Sequence, residues 1–303
     1  MKLIDAASVR RALAFKPLAA ALETMWVTGC EQPPRHVHPV GRDLTMLIMP
    51  AWQAGRYLGV KLININAAAR GMPGLFASYT LFDAQTGVPL ATIDGTELTA
   101  RRTAAVSALA ASKLARPDAG RLLVLGAGRV AGLLPLAYKA MFPALDEVMV
   151  WARRPEQALA LAERLIDEGL NARAVPGLAT TVQQADIVCS ATAATEPLVH
   201  GAWLAPGSHL DLVGSFTPAM READSACFGG GASVWVDSEE ALAKSGDLIV
   251  PLQDGVITGV NGTLADLCRD GPGRKTAQER TVFKAVGTAL ADLAAAVLVY
   301  ESS

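Results

Sequence analysis

The sequence is poor in aromatic residues, which make up 5% of its 303 positions. So few rings argue against a stacking platform for single-stranded nucleic acid. Neither sign of charge dominates: 27 Lys and Arg stand against 29 Asp and Glu, a formal net charge of −2. Such a chain lacks the bulk positive field that holds nucleic acid or an anionic membrane. Cysteine is scarce too. Cys30, Cys189, Cys227 and Cys268 form no C-x-x-C pair and no metal-ligand pattern, so reduced thiols in a cytoplasmic protein are expected, not a disulfide framework. His36 and His38 form H-x-H, but no nearby carboxylate or cysteine completes a ligand set, and no metal site is expected. No uncharged apolar run reaches roughly 18 residues, so no membrane-spanning helix is expected. Met1–Arg11 carries scattered charges in place of a signal-peptide core.

Apolar residues are plentiful. They make up 51% of the chain against 18% charged, enough for packed cores, and the length suggests about two domains. In the first third, Val9, Leu13, Leu18 and Leu22 recur at helical spacing and predict one helix over Ala6–Met25, broken at Gln32-Pro33-Pro34. Thr45–Pro50, Gly59–Ile65, Ser78–Phe82 and Pro89–Ile93 read as short strands, with turns at Arg70–Gly74 and Asp83–Gly87. They predict an antiparallel or mixed sheet. The Ala-rich Thr99–Ala115 predicts a helix stopped at Pro117–Gly120, which marks a domain boundary.

Beyond that boundary the pattern alternates. Strands are expected at Leu122–Leu125, Glu147–Trp151, Asp186–Ser190, His209–Val213 and Ser233–Val236. Helices are expected at Val130–Met141, interrupted or kinked by Pro135, and at Pro155–Gly169. Alternation of this kind predicts βαβ units and a parallel sheet. The tail, Ala277–Tyr300, reads as one long Ala-rich helix. The fold class is therefore α/β: a Rossmann-type doubly wound parallel sheet over 117–287, preceded by an α+β domain over 1–116.

The sharpest motif is Gly126-Ala127-Gly128-Arg129-Val130-Ala131, which follows a strand and opens a helix. In a G-x-G-x-x-A turn, Gly126 makes the tight reversal, Gly128 lets a pyrophosphate approach the backbone, and Ala131 permits close helix–strand packing. The amides at the helix start hold the phosphates. The next strand runs into Arg153 and Arg154 with no carboxylate at its end, a little beyond the usual spacing of about 20 residues. Paired guanidiniums suit a ribose 2′-phosphate, so NADP(H) is preferred and NAD(H) remains possible. The bland reading makes them a solvated loop. Ser190-Ala191-Thr192 and Val213-Gly214-Ser215 end two further strands, where ligands bind in open α/β sheets.

Five stretches carry a resemblance: Met49-Pro50-Ala51; Gly59-Val60-Lys61-Leu62; Leu98-Thr99-Ala100-Arg101-Arg102-Thr103-Ala104-Ala105; the Gly126 turn; and Thr281-Val282-Phe283-Lys284-Ala285-Val286-Gly287-Thr288-Ala289. With these the chain resembles the ornithine cyclodeaminase/μ-crystallin family along nearly its whole length. The resemblance implies a homodimer whose N-terminal domain, completed by a C-terminal helix at about 288–303, binds substrate and forms the dimer. It implies small α-amino or α-imino acid substrates, with the carboxylate held by Lys61 and Arg102, by Arg35, and by Thr217 near the Rossmann strand ends. From the strand alone, Lys61 could equally point to solvent at a sheet edge.

The chain departs from the cyclodeaminase pattern at Leu212-Val213-Gly214-Ser215-Phe216-Thr217-Pro218, where Phe216 stands in place of a proton-accepting Asp. Asn64–Arg70 also departs, in a segment expected near the substrate. The implied activity is NADPH-dependent reduction of a cyclic imino acid, Δ1-pyrroline-2-carboxylate to proline or Δ1-piperideine-2-carboxylate to pipecolate. Lys61 and Arg102 would be the catalytic residues, and either Lys61 or a water the proton donor. Alternatives are alanine dehydrogenase, ornithine cyclodeaminase, or a non-catalytic NADP(H)-dependent binder. His200 and His209 read as structural hydrogen-bonders, Cys189 as core, and Asp292 as a solvated or capping charge.

Overall fold

In a computed structural model of the protein, residues 1–66, 68–69, 71–271 and 273–303 are described. Ala67 and Arg70, within the segment expected near the substrate and at the start of one predicted turn, lie outside them. The chain divides into two units, one of residues 1–103 with 288–303 and the other of 104–287. Among the described residues no helix is long and apolar enough to cross a membrane.

The first unit begins with β1 (Lys2–Ile4), α1 (Ala6–Ala12) and α2 (Phe15–Thr28). The single helix expected over Ala6–Met25 is thus two. Pro17 explains the break: it has no N–H for the Leu13 carbonyl, and its ring would crowd that oxygen in a continuous helix. Arg101 Nε donates to the Leu13 carbonyl instead, at 2.8 Å. Then come β2 (His36–Pro39), β3 (Leu44–Gln53), β4 (Tyr57–Asn66), β5 (Leu75–Asp83), β6 (Pro89–Asp94) and α3 (Gly95–Leu114). The sheet runs β1-β6-β5-β4-β3-β2. It is mixed, since β1 lies parallel to β6 while β2 through β6 pair antiparallel. The division between the units falls inside α3, after Thr103, where the sequence places a boundary near 117.

The second unit continues with β7 (Arg121–Leu125), α4 (Arg129–Met141), β8 (Glu147–Trp151), α5 (Pro155–Asp167), β9 (Ala172–Ala174), α6 (Ala179–Gln184) and β10 (Ile187–Ser190). It is completed by β11 (His209–Leu212), β12 (Ser233–Val236), α7 (Glu240–Lys244), α8 (Gly246–Gln253), β13 (Gly262–Thr263), α9 (Leu264–Asp270) and β14 (Thr281–Lys284). The eight strands, in order β13-β12-β14-β11-β10-β7-β8-β9, are all parallel. From β9 to β11 this is the doubly wound order, which reverses between β7 and β10. Pro135 sits inside α4 without interrupting it.

The long helix expected over Ala277–Tyr300 is instead β14 followed by α10 (Ala289–Glu301). Alanine enrichment hid the strand. Thr281, Val282, Phe283 and Lys284 are all buried, the burial that a central parallel strand requires on both faces. Gly287, at φ 79°, and the Thr288 cap, which accepts from Ala291 N, then start α10. That helix returns to the first unit and packs on α2, β3, β4 and β5.

Candidate active site

In β4 the side chains alternate across the sheet, and the alternation inverts the expected polarity. Gly59, Lys61 and Ile63 face the core, while Leu62 is 42% exposed. The solvent-edge reading of Lys61 is therefore overturned: the side chain is 1% exposed. Its neighbours explain how a lysine fits there. Met49 and Tyr79 flank it in register on β3 and β5. A Cβ at Gly59 would fall 1.9 Å from the Tyr79 hydroxyl, so this glycine makes room for the ring.

Facing Lys61 is Asp292, on the first turn of α10 and fully buried. Its Oδ2 lies 2.7 Å from Lys61 Nζ, and its Oδ1 accepts from Arg102 Nε at 2.8 Å. Asp292 is thus neither solvated nor a helix cap, contrary to the sequence reading. The N-terminal position on α10 also favours its negative charge. Arg101 and Arg102 are adjacent on α3 yet diverge: Arg101 goes to Leu13 and lies over the Phe15 ring at 4.5 Å, while Arg102 goes to Asp292. Burial pulls the Lys61 pKa down to about 8, with the Asp292 charge opposing and the Arg102 and Arg35 charges assisting. Arg35, half-buried just before β2, therefore shares the electrostatic neighbourhood of Lys61. Two buried cations on one carboxylate leave a net positive site, which a second carboxylate would complete.

The second unit holds the other expected residues along one sheet edge. Leu125, at the end of β7, is in register with Trp151 of β8 and Ser190 of β10. Leu212 aligns with Ser190 and with Lys284. Gly126 adopts φ +113°, and a Cβ there would strike the Ala191 carbonyl at 2.6 Å. Gly128 has open space where a Cβ would stand and caps α4 without a side-chain bond. Ala131 is buried against the sheet. The turn thus meets the requirements for receiving a pyrophosphate: a forced glycine, an open glycine and helix amides not covered by a cap. Arg129 is exposed and Val130 half-buried at the start of α4, with Ala127 half-buried in the turn. Arg153 and Arg154 are exposed immediately after β8.

The ends of β10 and β11 are tied inward. Ser190 is buried and its hydroxyl donates to Glu222 Oε1 at 2.6 Å; Thr192 reaches the same oxygen through its amide and its hydroxyl, each at 2.7 Å. Gly214 N donates to Glu222 Oε2 at 2.6 Å, and Ser215 Oγ bonds to Ser245 Oγ at 2.9 Å. Val213 is half-buried, its amide donating to the Ser190 carbonyl at 2.8 Å. Phe216 and Thr217 follow, Phe216 exposed and Thr217 half-buried, so Thr217 belongs to the second unit, not to the one holding Lys61.

The two histidines expected to be hydrogen-bonders each have a polar partner. His209 Nδ1 and Thr281 Oγ1 lie 2.9 Å apart, and His200 pairs with Asp224 at 2.9 Å. Cys189 is buried, and all four cysteines are free thiols.

Sequence reasoning missed Asp292 and Glu222. An Asp in an otherwise Ala-rich apolar helix was the available signal for the first. Glu222 sits in a loop with no periodic signal.

Known proteins share this chain's sequence and fold. The family described as the ornithine cyclodeaminase/mu-crystallin family matches residues 5–303. A Delta(1)-pyrroline-2-carboxylate reductase of Paracoccus denitrificans is 44% identical over 255 residues, covering 82% of this chain and 80% of that protein. The ketimine reductase mu-crystallin of Rattus norvegicus is 36% identical over 300 residues, covering 96% and 92%. Among solved structures, Thermococcus litoralis Delta(1)-pyrroline-2-carboxylate reductase in complex with NADH and L-proline superposes with a TM-score of 0.93 at 30% identity, covering 99% of this chain and 97% of that one. The chain belongs to the ornithine cyclodeaminase/mu-crystallin family.

Proposed function

We propose that the protein is an oxidoreductase that reduces the C=N bond of a small cyclic imino acid, Δ1-pyrroline-2-carboxylate or Δ1-piperideine-2-carboxylate, with a nicotinamide cofactor. The observation that carries this reading is the buried pairing of Lys61 and Arg102 on the single carboxylate of Asp292. The surplus positive charge suits one substrate carboxylate, with Arg35 adding to it. Relatives named as a Delta(1)-pyrroline-2-carboxylate reductase and as a ketimine reductase support the same reaction.

The cofactor, when bound, supplies the hydride. The chain's own residues bind, orient and protonate. Gly126, Gly128 and the α4 amides would hold the pyrophosphate. Arg153 and Arg154, with no carboxylate at the end of β8, support NADP(H) over NAD(H) through a 2′-phosphate. Lys61 and Arg102 would grip the substrate carboxylate. Lys61, with a pKa near 8, is suited to hand its proton to the imine nitrogen at neutral pH, since a general acid works best near the operating pH. Asp292 keeps the ammonium in place. Phe216, in the loop after β11, offers no carboxylate for cyclodeamination of ornithine.

A homodimer fits the same reading. The sheet face opposite Lys61 carries Met46, Ile48, Leu62 and Phe76, interleaved with Asn64 and Ser78, and the exposed Leu62 and Phe76 on it suit a protein partner.

The test is NADPH oxidation, followed by absorbance, with each cyclic imine. Turnover with at least one is expected. No oxidation with either, or ammonia released from ornithine, would overturn the proposal.

A further inference from the structure

Glu222 is a fully buried carboxylate to which the reaction assigns no role. It receives four hydrogen bonds: from Ser190 Oγ, Thr192 N and Thr192 Oγ1 on Oε1, and from Gly214 N on Oε2. All four lie between 2.6 and 2.7 Å, the length of charge-assisted bonds. The donors come from two places, the end of β10 with the loop that follows it (Ser190, Thr192) and the loop after β11 (Gly214). These loops are also in backbone contact: a Cβ on Gly214 would lie 2.0 Å from the Thr192 carbonyl and 2.5 Å from Glu222 Oε1.

The carboxylate is itself anchored. The Glu222 amide donates to Asp247 Oδ1 at 2.8 Å, and the Ala223 amide reaches the same oxygen at 3.0 Å. Asp247 in turn faces Lys284 Nζ at 3.5 Å, and Lys284 donates to the Leu212 carbonyl at 3.0 Å. A chain of buried charges therefore ties β14, β11 and β10 together directly beneath their C-terminal ends. No hydrogen bond of Glu222 goes to the Gly126 turn: the Gly126 amide bonds to the Trp151 carbonyl at 2.8 Å, and the turn meets the loop after β10 only by packing at Ala191 and Thr192.

We propose that Glu222 is a positioning residue for the nicotinamide half of the cofactor. It sets the spacing of the loops after β10 and β11 and leaves the phosphate turn after β7 to hold the other half. A doubly wound fold lays a dinucleotide across the point where the strand order reverses. Here one side of that point is shaped by Gly126 with Arg153 and Arg154, and the other by the loops that Glu222 latches. The inference rests on the cofactor reading above.

The test compares two ligands on the intact protein: whole NADPH, and 2′-phospho-ADP-ribose, which lacks the nicotinamide. Glu222→Gln places an NH2 against inward-pointing donors. It is expected to weaken NADPH by about tenfold or more, as loss of a hydrogen bond to a charged group does, while the fragment stays within about twofold. Ser190→Ala removes one donor and keeps the charge, so it should shift NADPH in the same direction by a smaller factor. It decides the matter if the Gln variant does not fold. Under saturating NADPH, kcat should fall in both variants with little change in KM for the imine. Parallel weakening of both ligands would make Glu222 a fold residue only, and an unchanged NADPH affinity would remove any role in positioning; either overturns the proposal. Wild-type protein that binds neither ligand would refute the cofactor reading itself.

Discussion

Arg102 and Asp292 meet through a 2.8 Å hydrogen bond across 190 positions of sequence, and Lys61 completes the group from a third element. Removing the shared anion should therefore cost more than removing a surface charge. Asp292→Asn leaves two buried cations without their counterion, and breaking a buried pair in this way destabilises by about 3–5 kcal/mol. Urea unfolding should show that loss, and kcat/KM for the imino acid should fall with it.

Activity and stability should separate at high pH. Burial pulls Lys61 down to about 8 in the folded protein from its ordinary 10.5. Between those values the unfolded chain binds more protons than the native one, so this group makes stability rise with pH across the window. Loss of the ammonium weakens the carboxylate grip over the same range. A kcat/KM profile should fall above about pH 8 while the urea midpoint, corrected for other groups with Lys61→Met, does not. Lys61→Arg should remove the falling limb from substrate binding, because a guanidinium keeps its proton, and lower kcat at every pH, because it cannot hand that proton to the imine.

Cofactor choice should reside after β8. Arg153→Ala with Arg154→Ala is expected to raise the KM for NADPH by about a hundredfold or more and to leave that for NADH within about twofold, since each guanidinium bond to a phosphate is worth on the order of 1.5–3 kcal/mol. Equal effects on both cofactors would return these arginines to a solvated loop.

Acid should unfold the protein partly through His209. Burial, with the Arg274 charge behind it, pulls its pKa down to about 3 from 6.5. The unfolded chain takes up a proton as pH falls through 6.5, and the native one does not until about 3, so stability drops across that interval. Its Nε2 has no hydrogen-bond partner to compensate. His209→Asn, retaining a group for Thr281, should lose less stability than wild type between about pH 6.5 and 5, by roughly 2 kcal/mol.

Leu62→Lys with Phe76→Lys places two charges on the apolar face of the first sheet. Light scattering should then report a monomer where the wild-type chain gives a dimer. A monomeric wild type would remove that assignment.

Much of this was readable in the sequence where the cause is local. The Gly126 turn needs only a few consecutive residues, and β7, β8 and β10 follow from apolar runs of the right length. The failures are non-local or compositional. Alternation in β4 separates Lys61 from Leu62 but does not say which face is buried; Gly59 and the Tyr79 ring decide it. Alanine content merged β14 with α10, and the Pro17 break was lost inside a good helical period. Asp292 and Glu222 gain their roles from donors on other elements: the Ala-rich window around Asp292 marks it as out of place without naming its partners, and the loop around Glu222 gives no periodic signal.

The return of α10 to the first unit also imposes an order on synthesis. Lys61 and Arg102 leave the ribosome long before Asp292. Until α10 emerges, the nascent first unit must either carry Lys61 and Arg102 without Asp292 or keep β4 and α3 apart. Cotranslational folding of that unit should therefore wait for α10, while the parallel sheet between, complete by Lys284, is free to form first.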